Sequence, residues 1–245
     1  MKFRSKLASY WSLLFILVTC LFVSGCRTPS FKSAITPIQE KTIGDWAAAQ
    51  IQSESSSPPD PLIAAQVSDI TRKLNAALPA LPPPRILISD TDTYTLTSLP
   101  GNWIVISAKM VTLLHDKPDA LAGVLAHEYA HVANDDALKE MTDALGSDTM
   151  VNLTTQGKYT DTSNVAVQLM NVGHNIDDEY RADNEGVRIA AAAGYDPRGI
   201  LDAIAVFKSV TPSSDAQWLV VHPVTAKRIK MLNNEVASYP KYKKY

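Results

Sequence analysis

The apolar positions divide the chain into a short leader, a broken polar stretch, a brief β-rich run and a long succession of helices. Trp11 to Val23 is a largely apolar run of 13 residues, too short to span a bilayer comfortably. From Arg27 to about Pro61 the pattern is polar and interrupted, ending in Ser53-Glu54-Ser55-Ser56-Ser57-Pro58-Pro59-Asp60-Pro61. It predicts a tether around a short helix near Ile43 to Ile51. Ile63, Val67, Ile70, Leu74 and Leu78 recur at helical spacing, predicting a helix over Leu62 to Leu78 that Pro79 and Pro82-Pro83-Pro84 stop. Arg85 to Ser89 and Asn102 to Ser107 read as strands, the second preceded by Pro100-Gly101, with Tyr94 to Ser98 a third. Helical patterns follow over Ala108 to His115, Pro118 to Asn134, Asp135 to Leu153, Val165 to Asn171, Asp177 to Ala193, Pro197 to Val210 and Pro223 to Val236. Pro118, Pro197 and Pro223 suit first helical positions, Asp196 an N-cap and Gly194 a C-terminal cap.

The chain has 245 residues, 46% apolar and 20% charged, enough for one domain with an ordinary core. That excludes a disordered or fibrous protein. Net charge is −2, and without the first 25 residues 20 basic groups face 25 acidic ones, which argues against nucleic acid as a partner. Both cysteines, Cys20 and Cys26, lie near the N-terminus. The body of the chain therefore holds no disulfide or cysteine cluster, and a metal must be held by His, Asp or Glu.

Lys2, Arg4 and Lys6 form a positive start to the apolar leader, which ends in small residues. Val23-Ser24-Gly25-Cys26 resembles a bacterial lipobox, implying a signal peptide over 1–25 and a mature lipoprotein lipidated at Cys26. The alternative is an incidental cysteine beside an ordinary cleavage site. Lipid on one residue supplies membrane affinity that an acidic body lacks. Arg27, rather than Asp, after the cysteine resembles lipoproteins passed to the outer membrane of a Gram-negative envelope, with the domain on its periplasmic face.

The helix after Pro118 runs into His127-Glu128-Tyr129-Ala130-His131, an H-E-x-x-H motif. Four residues apart, His127 and His131 project from one helical face and can share a metal, while Glu128 is offset towards a water that the metal polarises. A chance match is expected about 0.003 times in a chain of this composition. The helix is apolar on almost every side and must be buried, and buried His and Glu are costly unless paired or metal-bound. The competing reading is a satisfied pair of core histidines with Glu128 bonded to a neighbour.

A catalytic zinc takes three protein ligands and keeps one open position. Asn134 and Ala137 stand where a metzincin needs Gly and His, and Met150 and Val151 where a thermolysin-like acid is expected. The next acidic helix pattern is Asp177-Asp178-Glu179-Tyr180-Arg181-Ala182-Asp183. Glu179 and Asp183 share a face there, so Glu179 can bind the metal while Asp183 accepts a hydrogen bond from a ligand imidazole. Asp178 and Asp183 remain alternative ligands on this reading.

These segments, with the Pro100-Gly101 turn, resemble metallopeptidase family 48, the gluzincin group of HtpX-like and CAAX-prenyl-protease-like enzymes, over about residues 62 to 236. The resemblance implies an α+β, mostly helical zincin-like domain with a small β-sheet, one zinc per chain, and Glu179 as third ligand beside His127 and His131. His222-Pro223, followed by Arg228-Ile229, is similar to a late segment of that family. It implies that His222 lies near the zinc, stabilising the oxyanion or occupying the open metal position and holding the enzyme shut. A placement of His222 at the cap of a helix that Pro223 begins is also expected, and a plain capping role is its alternative. His115 and His174 carry no matching pattern and read as structural or surface residues. The chain departs from the family before the Pro-Gly turn, at Tyr94-Thr95-Leu96-Thr97, and after the motif, at Asn134-Asp135-Asp136.

The expected organisation is a signal peptide (1–25), a lipidated tether (26–61) and a zinc metallopeptidase domain (62–245). Its expected activity is cleavage of unfolded or misassembled envelope polypeptides, with Glu128 moving the proton and the strand near Trp103 to Ile106 pairing with substrate backbone. The alternatives are a zinc-binding but proteolytically silent envelope chaperone or assembly factor, and a metal-free interaction protein. Partners are polypeptides, the membrane through the lipid, and envelope assembly machinery.

Overall fold

A computed structural model describes residues 35–155, 170–210 and 217–239. Helix α1 (Pro37–Glu54) opens with a capping box, in which the Thr36 hydroxyl accepts from the Gln39 backbone and the Gln39 side chain returns to Thr36 N–H. Helix α2 (Pro61–Ala77) starts on the Asp60 carboxylate. Strands β1 (Arg85–Ser89), β2 (Leu96–Leu99) and β3 (Trp103–Ser107) form one sheet in the order β1-β3-β2, with β1 parallel and β2 antiparallel to β3. Then come α3 (Ala108–Leu113), α4 (Pro118–Ala133), α5 (Asp136–Leu145), α6 (Ser147–Thr155), α7 (Ile176–Ala192), α8 (Gly199–Val210), α9 (Gln217–Val221) and α10 (Ala226–Ala237). The fold is α+β, mostly helical with a small sheet, as the sequence predicts.

The core gathers around α4, whose residues from Ala120 to His131 are all buried. Leu121, Val124 and Leu125 pack with Val67, Ile70 and Leu74 of α2, Ile104 and Ile106 of β3, and Ile200, Ile204 and Phe207 of α8. Alpha-helix α7 lies along α4 so closely that a Cβ on Gly186 would stand 2.9 Å from His127 Cα. A glycine there lets the helix carrying Glu179 approach the helix carrying the histidines.

Several expectations change. Residues 37–54, expected within a tether around a short helix, form a helix of 18 residues that packs on the sheet. Ile43, Ala47, Ala48 and Ile51 bury against Leu87, Leu99, Val105 and Leu138, and Asp45 accepts from Trp103 Nε1 at 3.1 Å and pairs with Arg85. The apolar face is narrow and half alanine, so its periodicity is faint, yet small residues suit close helix-on-sheet packing. Only 55–60 connects α1 to α2, and Asp90 holds it at Ser56. The predicted helix over Asp135 to Leu153 divides at Gly146, whose φ of 81° ends α5. Strand Trp103–Ser107 is the middle of the sheet, with β1 on one side and β2 on the other. It has no free edge for a substrate backbone. Finally, α10 begins at Ala226 on a Thr225 cap, so His222 caps no helix. It closes α9 instead, donating its N–H to Trp218 O at 2.8 Å. Most of the helix predicted over Val165 to Asn171, and all of 1–34 including Cys26, lie outside the described residues.

Candidate metal centre

Because α4 is sealed on all sides, His127, Glu128 and His131 have no solvent exposure. The helical repeat brings both imidazoles to one face, with Nε2 of His127 and Nε2 of His131 3.0 Å apart. From α7, Glu179 sets Oε1 3.2 Å from His131 Nε2 and Oε2 3.7 Å from His127 Nε2. His222 arrives from the end of α9, its Nδ1 2.9 Å from Glu179 Oε1 and 3.3 Å from His127 Nε2. Its Nε2 lies 3.2 Å from Glu128 Oε1. One ligand atom each from His127, His131, Glu179 and His222 falls within 4.8 Å of the others.

The far nitrogens decide what this cluster fits. His127 Nδ1 lies 3.1 Å from Asp183 Oδ1, and His131 Nδ1 lies 2.9 Å from Asp136 Oδ2. A carboxylate beside Nδ1 keeps a proton there and turns the Nε2 lone pair inward. Two such lone pairs 3.0 Å apart repel unless a proton or a metal cation sits between them. Nitrogen ligands on a tetrahedral zinc are about 3.3 Å apart, so the spacing fits that ion. Carboxylates behind both imidazoles are the usual supports of a histidine metal site.

Electrostatics agree. Burial lowers His127 to a pKa of about 4, against the pull of Asp183 and Glu179, so it is neutral and ready to ligate. For His131 burial also pushes down, but bonds to Asp136 and Glu179 and the Glu128 charge outweigh it and raise the group to about 10. A proton therefore occupies the metal-free site, and a metal bound there releases it. Burial opposes ionisation of Glu179, but the His222 and His127 imidazoles and the bond from His131 hold it well below the usual carboxylate range. Glu128 is likewise opposed by burial and carried down to about 2 by His222, with His131 and His127 adding to it.

Behind the cluster Arg228 is completely buried. It makes two bonds to Asp183, donates from Nη1 to the His222 carbonyl at 3.1 Å, and pairs closely with Glu179. One guanidinium thus ties α10, α7 and the His222 segment together. His174, read from the sequence as structural or surface, is buried and stacks on His131 with ring centres 3.8 Å apart and planes 11° apart. Nothing local announced Asp136, His174 or Arg228 as neighbours of the cluster. The only sequence signal was that Arg228 stands in the late segment containing His222.

Trp218, also buried, lies 5.0 Å from the His222 ring, and its backbone N–H bonds to Tyr94 O. That contact fixes α9 beside the start of β2. A groove of about 460 Å³ reaches His131 and is walled largely by Pro82, Pro83, Leu99, Pro100, Val132 and Leu138.

Residues 59–236 match the model of peptidase family M48. No curated protein matches the chain.

Proposed function

Since the chain belongs to peptidase family M48, a family of metallopeptidases, we propose that it is a zinc-dependent endopeptidase acting on unfolded or misassembled polypeptides of a bacterial envelope. The observation that carries the reading is the pair of inward-facing Nε2 atoms beside Glu179, with Asp183 and Asp136 behind them. His127, His131 and Glu179 would hold the zinc. When bound, the zinc acts as a Lewis acid that polarises the scissile carbonyl and brings the pKa of water to about 7.

Glu128 follows His127 on α4 and has both carboxylate oxygens buried without an aligned hydrogen-bond donor. It accepts the proton of the attacking water and hands it to the leaving amine. Asp183 and Asp136 keep the two imidazoles in the ligating tautomer. The apolar walls of the groove beside His131 suit side chains that a folded substrate would bury, which supports unfolded clients.

His222 stands between Glu128 and Glu179, where a substrate carbonyl must enter, and every residue of the cluster is sealed from solvent. This supports a shut resting form. Its imidazole also depresses Glu128, so its departure restores basicity to that carboxylate. The sealed site equally favours the second reading, a zinc-holding but proteolytically silent chaperone or assembly lipoprotein.

We assign the anchor to lipid on Cys26 and the location to the periplasmic face of the outer membrane. Among the described residues no helix is long and apolar enough to cross a membrane, so attachment rests on the leader and its lipobox-like end. The test is casein cleavage by wild type and Glu128→Gln, with zinc measured in both. Cleavage by wild type alone, at equal zinc, supports the peptidase. Silence of both at full zinc occupancy, persisting in His222→Ala, supports the chaperone.

A further inference from the structure

A second group of donors lies beside the first. One ligand atom each of Glu128, His174 and His222 falls within 4.8 Å of the others, and all three residues are buried. His222 Nδ1 is engaged by Glu179 at 2.9 Å, which leaves Nε2 facing Glu128. His174 repeats the arrangement. Its Nδ1 lies 2.6 Å from Glu140 Oε2, and Glu140 is itself fixed through a short bond from Asn175 N–H. In both residues a carboxylate stands beside Nδ1, which favours Nε2 as the ligating atom once a cation is bound.

The polar atoms of this group have no aligned hydrogen bond, although His222 Nε2 and Glu128 Oε1 stand 3.2 Å apart. Both oxygens of Glu128, both ring nitrogens of His174 and Nε2 of His222 lack an aligned hydrogen-bond partner among the described residues. Buried groups of this kind are costly unless paired or bound to a cation. Two imidazole nitrogens and one carboxylate, each histidine backed by an acid, form a ligand set suited to zinc or a similar divalent ion.

We propose that Glu128, His174 and His222 form a second divalent-cation site, and that filling it locks the enzyme shut. The inhibitory part rests on the peptidase reading above. A cation there occupies the carboxylate that must accept the proton and ties the His222 segment to α4. His174 N–H donates to Val221 O at 3.1 Å, so two of the three ligands already belong to adjoining, hydrogen-bonded segments. Excess zinc thereby becomes a brake on an enzyme that needs zinc at the neighbouring site.

The test uses the full chain in detergent, stripped with chelator and dialysed against buffered zinc. Bound metal is read by elemental analysis, and cobalt(II) absorption provides an independent spectrum. Wild type is expected to take up a second, weaker equivalent as free zinc rises, with casein cleavage falling over the same range. His174→Gln is expected to stop at one equivalent and to shift the inhibiting zinc concentration upward by on the order of 10–100-fold. A wild type that stops at one equivalent, or a folded His174→Gln that still binds the second, overturns the proposal while leaving the first site intact. No bound metal in wild type overturns both readings. Circular dichroism establishes that the variants fold, and His174→Asn replaces a glutamine variant that does not.

Discussion

Arg228 grips Asp183 through two bonds, Nε to Oδ2 at 2.6 Å and Nη2 to Oδ1 at 2.8 Å, where both side chains are buried. The same Oδ1 faces His127 Nδ1 at 3.1 Å, so the pair links the last described helix to a residue of the metal cluster. Burial disfavours both charges, while each partner stabilises the other.

Arg228→Ala leaves Asp183 and Glu179 buried with less compensation and is expected to lose about 3–5 kcal/mol of stability. Asp183→Asn keeps the shape but weakens the hold on the His127 tautomer, lowering zinc affinity by about 10–100-fold. Urea unfolding of the first and competition with a zinc chelator for the second measure these effects.

His222→Ala opens the space between Glu128 and Glu179 and removes the imidazole that depresses Glu128. Casein cleavage is expected to rise by about tenfold or more, as when a closed form favoured by about 1.4 kcal/mol is released. A fall in kcat at unchanged zinc content would instead assign His222 to transition-state stabilisation.

Gly186→Ala places a methyl group 2.9 Å from His127 Cα and 3.0 Å from His127 N. The obstacle is backbone, so α7 must move away from α4 and take Glu179 with it. The expected cost is about 1–3 kcal/mol, with weaker zinc retention. Thermal unfolding with and without zinc separates the two effects.

Glu40 tests the docking of α1. Burial raises its pKa, only partly offset by the bond its carboxylate accepts from Gly101 N–H at 3.0 Å, with Asp135 adding to the rise. A raised acid binds more protons folded than unfolded, so its penalty is present above the folded pKa and is relieved as pH falls through it towards the unfolded value. Glu40→Gln retains an acceptor for Gly101 without the charge. It is expected to melt higher than wild type at pH 7, with the difference shrinking towards pH 4.5; an unchanged difference across that range would count against the argument.

What the sequence determined by itself was local. The H-E-x-x-H spacing and the four-residue interval from Glu179 to Asp183 have meaning within single helices, because the helical repeat converts spacing into a shared face whatever surrounds it. The same short-range rule made α2, α4 and α7 legible from their apolar periodicity, and the scarcity of cysteine confined any metal to His, Asp and Glu. Tertiary structure decided which distant groups meet that face. Asp136 returns to His131 because Asp135 takes a left-handed turn, with φ 55°, between α4 and α5. His174 and Arg228 reach the centre from segments whose own patterns carry no instruction to do so, and His222 was expected there only through the resemblance of its segment to the family. Tertiary packing also turned a supposed tether into a docked helix and placed β3 between two partners, since a strand's neighbours and the surface that covers a faint alanine face are chosen by the whole core. Spacing along one helix is a property of the chain, whereas convergence of several elements on a buried point depends on how their surfaces exclude water together.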